Sequence, residues 1–310
     1  MSEFGATAVP GLPARVTVYE VGPRDGLQNE AAMVPLQVKA EFVRRLVAAG
    51  HRAVEVTSLV RPDWVPQLAD AQDLLAELGP APEGVRMPVL VPNRRGLDRA
   101  LAAGVREVAV FASATETFAR RNLNRGLAQS LQVFAPVVAA ARAQGLAVRG
   151  YVSMCFGDPW EGAVAPAQVA QVVTALRDMG AQEISLGDTI GVATPGSVLA
   201  VLNELAAVPV ADLAVHFHDT YGQALANTLV ALQHGITTVD SSAGGLGGCP
   251  YAASATGNLA TEDLLWQLHG LGIDTGVDLA AMVATSVWMA GQLGRPSPSR
   301  VVTALANKEP

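Results

Sequence analysis

The chain has 310 residues, of which 50% are hydrophobic and 16% charged, and its formal net charge is -7 at pH 7. This composition indicates a globular protein with a large core and excludes a disordered chain. The acidic balance, with no long run of Lys or Arg, argues against nucleic-acid binding, and no apolar run approaches the roughly 18 residues that span a bilayer. We therefore predict neither a nucleic-acid partner nor a membrane partner.

The N-terminal segment carries no visible targeting signal. Its first 14 residues contain no Lys or Arg, which argues against a signal or transit peptide. We predict an N-terminal tail over residues 1–14 and a cytoplasmic location. Cys155 and Cys249 belong to no C-x-x-C pair, which favours a reducing compartment over a zinc ribbon or a disulfide framework.

Short β-rich segments alternate with helical segments over residues 15–310. The eight predicted strands are RVTVYEVG, AVEVTS, RMPVLVP, EVAVFAS, VRGYVSM, EISLGDT, LAVHFHD and TVDSSAG. Connecting segments such as PLQVKAEFVRRLVAAG have apolar residues three and four positions apart and end in glycine, as amphipathic helices do. A doubly wound open sheet has similar local signals, but the count of eight favours a single (β/α)8 TIM-barrel domain, with extra C-terminal helices after about residue 260.

Polar side chains follow six of these strands, at the barrel edge where chemistry gathers. The candidates in chain order are Arg24, Asp25, Glu55, Asn93, Asp188, His216, His218, Asp219 and Asp240.

His216 and His218 lie two apart on a predicted strand, so both imidazoles face the same side and one metal ion can bind both. A hydrogen-bonded core pair is the alternative. Glu55 and Asp188 stand within apolar strands, where a carboxylate is costly to bury unless it is paired or binds a cation. Together these residues predict a divalent metal site.

The segment GPRDG after the first strand places Arg24 beside Asp25. Asp25 is a candidate hard ligand, and Arg24 offers fixed positive charge where an oxyanion develops. A surface turn with a weak exposed ion pair is the alternative.

The glycine-rich segment SSAGGLGGCPYAASATGN, residues 241–258, lacks the Lys-Ser or Lys-Thr ending of a phosphate-binding loop and does not match the dinucleotide fingerprint. Its glycines predict a loop that moves over the site and carries the thiol of Cys249. An ordinary tight connection with a buried cysteine is the alternative.

Five segments in the same order closely resemble the hydroxymethylglutaryl-CoA lyase family, from about residue 15 to the C-terminus. They are VGPRDGLQNE, EVTSLVRPDWVPQLAD, SLGDTIGVATPG, VHFHDTYGQALAN and GGLGGCPYAASATGNLATEDL. The resemblance implies a metal-dependent barrel lyase that cleaves hydroxymethylglutaryl-CoA to acetyl-CoA and acetoacetate with Mg²⁺ or Mn²⁺. It also implies a homodimer and a place in leucine degradation and ketone body metabolism.

The resemblance assigns roles to residues of this chain. The metal ligands that it implies are Asp25, His216, His218 and Asn258. Arg24 is expected to stabilise the enolate oxygen and, with Gln28, to bind substrate, while Cys249 exchanges a proton with the acetyl product. Asp25 and His216 are both candidates for the base. The resemblance further implies supporting acids at Glu55, Asp188 and Glu262, and Glu262 also suits a helix start.

Three positions, Ala31, Asp63 and Asp158, differ from the residues common in these lyases. A related 3-hydroxy-3-alkylglutaryl-CoA is therefore an alternative substrate. An acyl-CoA condensing synthase, a small oxo-acid aldolase and a non-enzymatic sensor are further alternatives, but the segment GGCPYA favours the lyase. Arginines that are candidates for the CoA phosphates are Arg94, Arg95, Arg120, Arg121 and Arg125.

Overall fold

The computed structural model describes residues 5–249 and 252–306, apart from the side chains of residues 123, 249 and 252–256. A parallel sheet occupies its centre. In the described chain the strands of this sheet are β1 (Thr17–Glu20), β2 (Ala53–Val54), β3 (Thr57–Ser58), β4 (Val89–Leu90), β5 (Glu107–Ser113), β6 (Ala147–Ser153), β7 (Glu183–Asp188), β8 (Leu213–Phe217) and β9 (Thr238–Ser241).

The strand order β2-β1-β9-β8-β7-β6-β5-β4-β3 closes the sheet. β2 pairs with β1, and β3 pairs with β4. Since β2 and β3 are separated by Glu55 and Val56 alone, they are two halves of one barrel position. The predicted eight-stranded TIM barrel is therefore confirmed, with its second strand divided where the chain changes pairing partner. The strand β4 is short and has Pro88 before it and Pro92 after it. Proline has no backbone N–H to donate to a ladder, which limits the length of this strand.

Helices follow the strands and cover the outside of the barrel. In the described ranges they are α1 (Leu36–Ala48), α2 (Ala71–Leu78), α3 (Arg94–Ala102), α4 (Glu116–Leu123), α5 (Leu127–Ala143), α6 (Pro166–Asp178), α7 (Pro195–Glu204), α8 (Ala224–Gln233), α9 (Thr261–Gly270), α10 (Leu279–Leu293) and α11 (Arg300–Ala306). α9 and α10 are the C-terminal helices predicted after about residue 260, and α11 follows them. No helix in the described chain is long and apolar enough to cross a membrane.

Successive side chains of a strand alternate between the helix-facing outside and the interior of the barrel. On β6, Val148 and Val152 pack outward against the helices, and the intervening Arg149 and Tyr151 point into the barrel. β5 follows the same rule, with Val108 outside and Ala109 inside. The apolar core therefore lies mainly between sheet and helices, which leaves the barrel interior available for polar groups.

Two close approaches need glycine. A β-carbon on Gly26 would lie 2.8 Å from Ser242 Oγ and 2.9 Å from Leu246 Cβ. Gly247 has a φ of 102°, and a β-carbon there would lie 2.6 Å from Asn258 Nδ2. These glycines allow the turn after β1 to pack against the segment after β9. That segment continues into the antiparallel strands β10 (Gly248–Cys249) and β11 (Ala252–Thr256).

Candidate active site

Three predicted ligands meet at the carboxyl end of the barrel. Asp25 lies in the five-residue π-helical turn Gly22–Gly26 after β1, His216 lies in β8, and His218 follows that strand. One potential ligand atom from each residue lies within 4.8 Å of the others. The two imidazole rings have centroids 5.3 Å apart. The expectation that both histidines point to one side of the strand is therefore confirmed.

Asn258 completes this cluster. Its backbone forms an antiparallel bridge with His218, and its side-chain Nδ2 donates to Asp25 Oδ2 over 2.8 Å and to the Leu246 carbonyl over 3.0 Å. Asn258 Oδ1 and His218 Nδ1 are buried without a hydrogen-bond partner among the described residues. Unpaired amide oxygen and imidazole nitrogen atoms beside a carboxylate are a donor set that suits a divalent cation. The four side chains therefore fit a metal ion.

The charges of Asp25 and His218 also suit metal binding. Burial alone would raise the pKa of Asp25, but the nearby Arg24 and the two histidines lower it to about 2. Burial lowers the pKa of His218 to about 3. Asp25 is thus an anion and His218 a neutral imidazole at pH 7, which are the protonation states that bind metal.

Arg24 lies beside the cluster and is held from two sides. Its Nε donates to Glu55 Oε2 over 2.8 Å, and one terminal nitrogen donates to Asp25 Oδ1 over 2.6 Å. Gln28, expected to bind substrate, donates from Nε2 to Asp25 Oδ1 over 2.8 Å. Glu55 is fully buried and Arg24 is 7% exposed, so this is a buried charged pair with little freedom to reorient.

Asp188 ends β7 on the same edge. The backbone N–H of Ala193 donates to both of its carboxylate oxygens, over 3.2 and 3.1 Å. Burial raises the pKa of Asp188 to about 7, although backbone N–H groups of residues 191–193 and the charge of His216 oppose the rise. A carboxyl group that titrates near neutral pH is suited to proton transfer.

A chain of polar contacts runs through the barrel interior, and the sequence patterns did not predict it. Arg149 pairs with Asp240 over 2.7 Å and donates to the Tyr151 hydroxyl over 3.0 Å. Tyr151 donates in turn to Glu55 Oε2 over 3.0 Å. Asp240 also lies 3.3 Å from Nδ1 of His216. The missed signal was a charged residue at an inward position of the strand VRGYVSM, where burial demands partners.

A family model described as HMGL-like matches residues 15–288. The chain belongs to the HMGL-like family. It is 54% identical over 296 residues to "Hydroxymethylglutaryl-CoA lyase, mitochondrial" of Arabidopsis thaliana, covering 95% of this chain but only 63% of that protein. It is 51% identical to "3-hydroxy-3-methylglutaryl-CoA lyase, cytoplasmic" of Danio rerio, covering 98% of this chain and 91% of that one. The resemblance in the sequence motifs is thereby confirmed.

A solved structure supports the same relationship. The crystal structure of hydroxymethylglutaryl-CoA lyase from Pseudomonas aeruginosa superposes with a TM-score of 0.94 at 48% sequence identity, covering 96% of this chain and all of that one.

Within this HMGL-like barrel, Glu262 makes its described hydrogen bonds outside the candidate cluster of Asp25, His216 and His218. It stands in the first turn of α9 and accepts a hydrogen bond from Gly244 N over 2.8 Å and another from the Ser286 hydroxyl. Glu20, which the sequence reasoning did not single out, accepts from Ala243 N over 2.9 Å and from the Thr261 hydroxyl over 2.7 Å. Both acids therefore hold the start of the glycine-rich segment through the backbone N–H groups of Ala243 and Gly244.

The two cysteines of the chain occupy different settings. Cys155 is buried, its thiol donates to the Val152 carbonyl over 3.1 Å, and burial raises its pKa. This cysteine is a small core residue, in keeping with the default for a lone cysteine. The backbone of Cys249 lies in β10, but its side chain is outside the described part of the structure.

Other predicted positions have structural contacts. Asn93 caps α3 by accepting from Gly96 N over 3.0 Å, and Asp219 accepts from Ala224 N over 3.0 Å. Asp63 pairs with Arg61 at the surface, whereas buried Asp158 accepts from the Thr115 hydroxyl over 2.6 Å. The prediction that surface arginines bind CoA phosphates stays a prediction.

Proposed function

We propose that this member of the HMGL-like family cleaves 3-hydroxy-3-methylglutaryl-CoA to acetyl-CoA and acetoacetate with a divalent metal, Mg²⁺ or Mn²⁺. The observation that carries the proposal is the cluster of Asp25, His216 and His218 beside Arg24 at the carboxyl end of the barrel. The names of the relatives, which are hydroxymethylglutaryl-CoA lyases at 51% and 54% identity, support the choice of substrate.

The proposed metal ligands are Asp25, His216, His218 and Asn258. When bound there, a divalent cation supplies Lewis acidity that lowers the pKa of the substrate's tertiary hydroxyl.

The reaction needs a base, an oxyanion partner and an acid. Asp25 or His216 takes the proton of the tertiary hydroxyl, and the hydroxyl oxygen becomes the ketone oxygen of acetoacetate. As the neighbouring carbon–carbon bond breaks, its electron pair passes to the acetyl-CoA fragment as an enolate. A proton delivered to that carbon completes acetyl-CoA. The base gains the proton that the acid loses, and the electron pair of the broken bond ends in the new C–H bond of acetyl-CoA, so the step needs no oxidant or reductant.

Arg24 is the proposed partner of the enolate oxygen. Its guanidinium is already oriented by Glu55 and Asp25, so the positive charge needs no reorganisation when negative charge develops. Cys249, on the short β10–β11 hairpin, is the proposed acid that protonates the enolate carbon. Asp188 is proposed to support His216 and the substrate. Glu262 and Glu20 hold the base of that loop through backbone N–H groups.

The proposal extends to the setting of the enzyme. We place it in the cytoplasm as a homodimer acting in leucine degradation and ketone body metabolism. The cytoplasmic Danio rerio relative supports this location, whereas the Arabidopsis relative is named mitochondrial. Light scattering of the purified protein tests the dimer directly.

The activity is tested with purified, chelator-treated protein and 3-hydroxy-3-methylglutaryl-CoA. Acetoacetate and acetyl-CoA are expected in equal amounts when Mg²⁺ or Mn²⁺ is added back, and neither in the presence of excess chelator. A protein that binds either metal but releases no acetoacetate would overturn the substrate assignment. A rate that chelation does not change would overturn the metal requirement.

A further inference from the structure

The orientation of His216 is set from inside the barrel. Its Nδ1 lies 3.3 Å from Asp240 Oδ2, on the side of the ring that faces β9. A ring nitrogen engaged with a carboxylate does not at the same time offer a lone pair to a metal. The contact therefore bears on which nitrogen of His216 takes part in the cluster.

Asp240 is itself held in one orientation. Arg149 donates to its Oδ1 over 2.7 Å and to its Oδ2 over 3.2 Å, and the Ser185 hydroxyl donates to Oδ2 over 2.9 Å. Asp240 is 1% exposed, so these donors replace its hydration. Because the carboxylate accepts from the guanidinium through both oxygens, it acts as an acceptor toward the ring as well, and Nδ1 of His216 carries the hydrogen.

We propose that Asp240 is a positioning residue that fixes His216 as the Nδ1–H tautomer and leaves Nε2 as the nitrogen offered to the cluster with Asp25 and His218. Arg149 and Ser185 hold Asp240 in place for this task. The inference rests on the proposed metal role of His216, and it adds three residues to the machinery of the site. Because both ring nitrogens of His216 are then engaged, it also selects Asp25 over His216 as the base.

His218 provides a comparison within the same cluster. Its Nδ1 is buried but has no hydrogen-bond partner among the described residues. Among the residues that the structure describes, no carboxylate contacts Nδ1 of His218 as Asp240 contacts Nδ1 of His216. The two histidines should differ in how strongly the metal-free protein prefers one tautomer.

The tautomers are measured by nitrogen NMR of the full chain labelled with ¹⁵N-histidine, free of metal, with His216→Ala used to assign the signals. At an alkaline pH at which the imidazole is neutral, wild-type protein is expected to show a protonated Nδ1 and an unprotonated Nε2 at His216. The proposal is overturned if the proton of His216 resides on Nε2. This measurement needs no variant of Asp240 to fold.

Asp240→Asn tests whether the tautomer of His216 determines the affinity for Mn²⁺. Its amide donates to Nδ1, which shifts the proton of His216 to Nε2, and the affinity for Mn²⁺ is expected to fall about 10- to 100-fold. The matched control is Glu183→Gln, because Glu183 lies 2.8 Å from Arg149 Nε but belongs to the opposite side of that guanidinium. It should leave the tautomer unchanged and the Mn²⁺ affinity within about 2-fold.

The outcomes separate this inference from the proposed function. Wild-type protein that binds no Mn²⁺ contradicts the proposed function, while the NMR result still judges the tautomer. Wild-type and Asp240→Asn proteins that bind Mn²⁺ equally contradict the inference and leave the function standing.

Discussion

Two groups of buried acids in this barrel have opposite electrostatic settings. Burial alone would raise the pKa of Asp25 and Asp240, yet arginine and histidine neighbours lower both. Glu20 and Glu262 accept hydrogen bonds from hydroxyl and backbone N–H donors, and burial raises their pKa values to about 7 and about 8. Glu20 Oε2 also lies 3.7 Å from Nε2 of His51, but burial lowers the pKa of that imidazole to about 4, so it is not a cation at pH 7. Cationic neighbours therefore keep Asp25 and Asp240 anionic, whereas at Glu55 burial outweighs Arg24 and Arg149 and raises the pKa.

The difference separates chemistry from support. Of the anionic acids, Asp25 lies at the carboxyl end of the barrel in the candidate metal cluster, and Asp240 lies in the barrel interior in contact with His216. Glu20 and Glu262, whose pKa values are raised, accept hydrogen bonds from backbone N–H groups at the start of the glycine-rich loop. Substitutions in the first group should therefore affect metal binding and turnover, and those in the second group should affect stability and its pH dependence.

Asp25→Asn is expected to have the largest effect. It removes the anion that Arg24, Gln28 and Asn258 contact, so activity should fall by more than about 10³-fold and Mn²⁺ binding should be lost. Steady-state kinetics and calorimetric Mn²⁺ titration measure both. Asp212→Asn, at a surface pair with Arg177, is the control and should stay within about 2-fold. Full activity in Asp25→Asn would show that the cluster is not the active site.

Cys249→Ser should lower turnover by about 10²- to 10⁴-fold, the range for loss of a general acid or base, with Mn²⁺ affinity unchanged. Cys155→Ala is the matched control, since Cys155 is a buried core residue, and it should keep most of the activity. Loss of Mn²⁺ binding in Cys249→Ser would contradict the division between loop and metal cluster.

Glu262→Gln should alter the pH dependence of stability. Between pH 4.5 and about 8 the folded protein keeps a proton on Glu262 that the unfolded chain has lost, so its free energy of unfolding falls as pH rises through this range. Glutamine does not titrate, so the decline between pH 5 and pH 8 should be smaller in the variant by about 3 kcal/mol. Urea unfolding at both pH values measures it. An identical decline in both proteins would mean that Glu262 is ionised in the fold.

Tyr151→Phe should have the smallest effect. It removes one hydroxyl between Glu55 and Arg149 and leaves the direct contacts of Glu55 with Arg24 intact. A decrease in kcat of about 10-fold, with unchanged Mn²⁺ affinity, is expected for the loss of one buried hydrogen bond. A larger loss than that in Asp25→Asn would place the main catalytic charge on the interior chain instead of the metal cluster.

Much of this architecture could be predicted from local sequence patterns. The alternation of strands and helices predicted the barrel, and the spacing of His216 and His218 predicted a shared face. Asn258 required the family resemblance, because its contact with Asp25 joins residues far apart in the chain.

The interior contacts were harder to predict. Arg149 and Tyr151 lie on β6, and their partners Asp240 and Glu55 come from β9 and the second barrel position. No local spacing links them, since closure of the sheet alone brings these strands together. Glu20 was missed for the same reason, as its partners Ala243 and Thr261 follow β9.

The most direct test of the central claim is Mn²⁺ titration of metal-free wild-type and His218→Ala proteins, followed by electron paramagnetic resonance. His234→Ala is the control, because His234 follows α8 and does not belong to the cluster. The account predicts one site per chain in the wild-type and His234→Ala proteins and loss of that site in His218→Ala. A wild-type-like Mn²⁺ site in His218→Ala would contradict it.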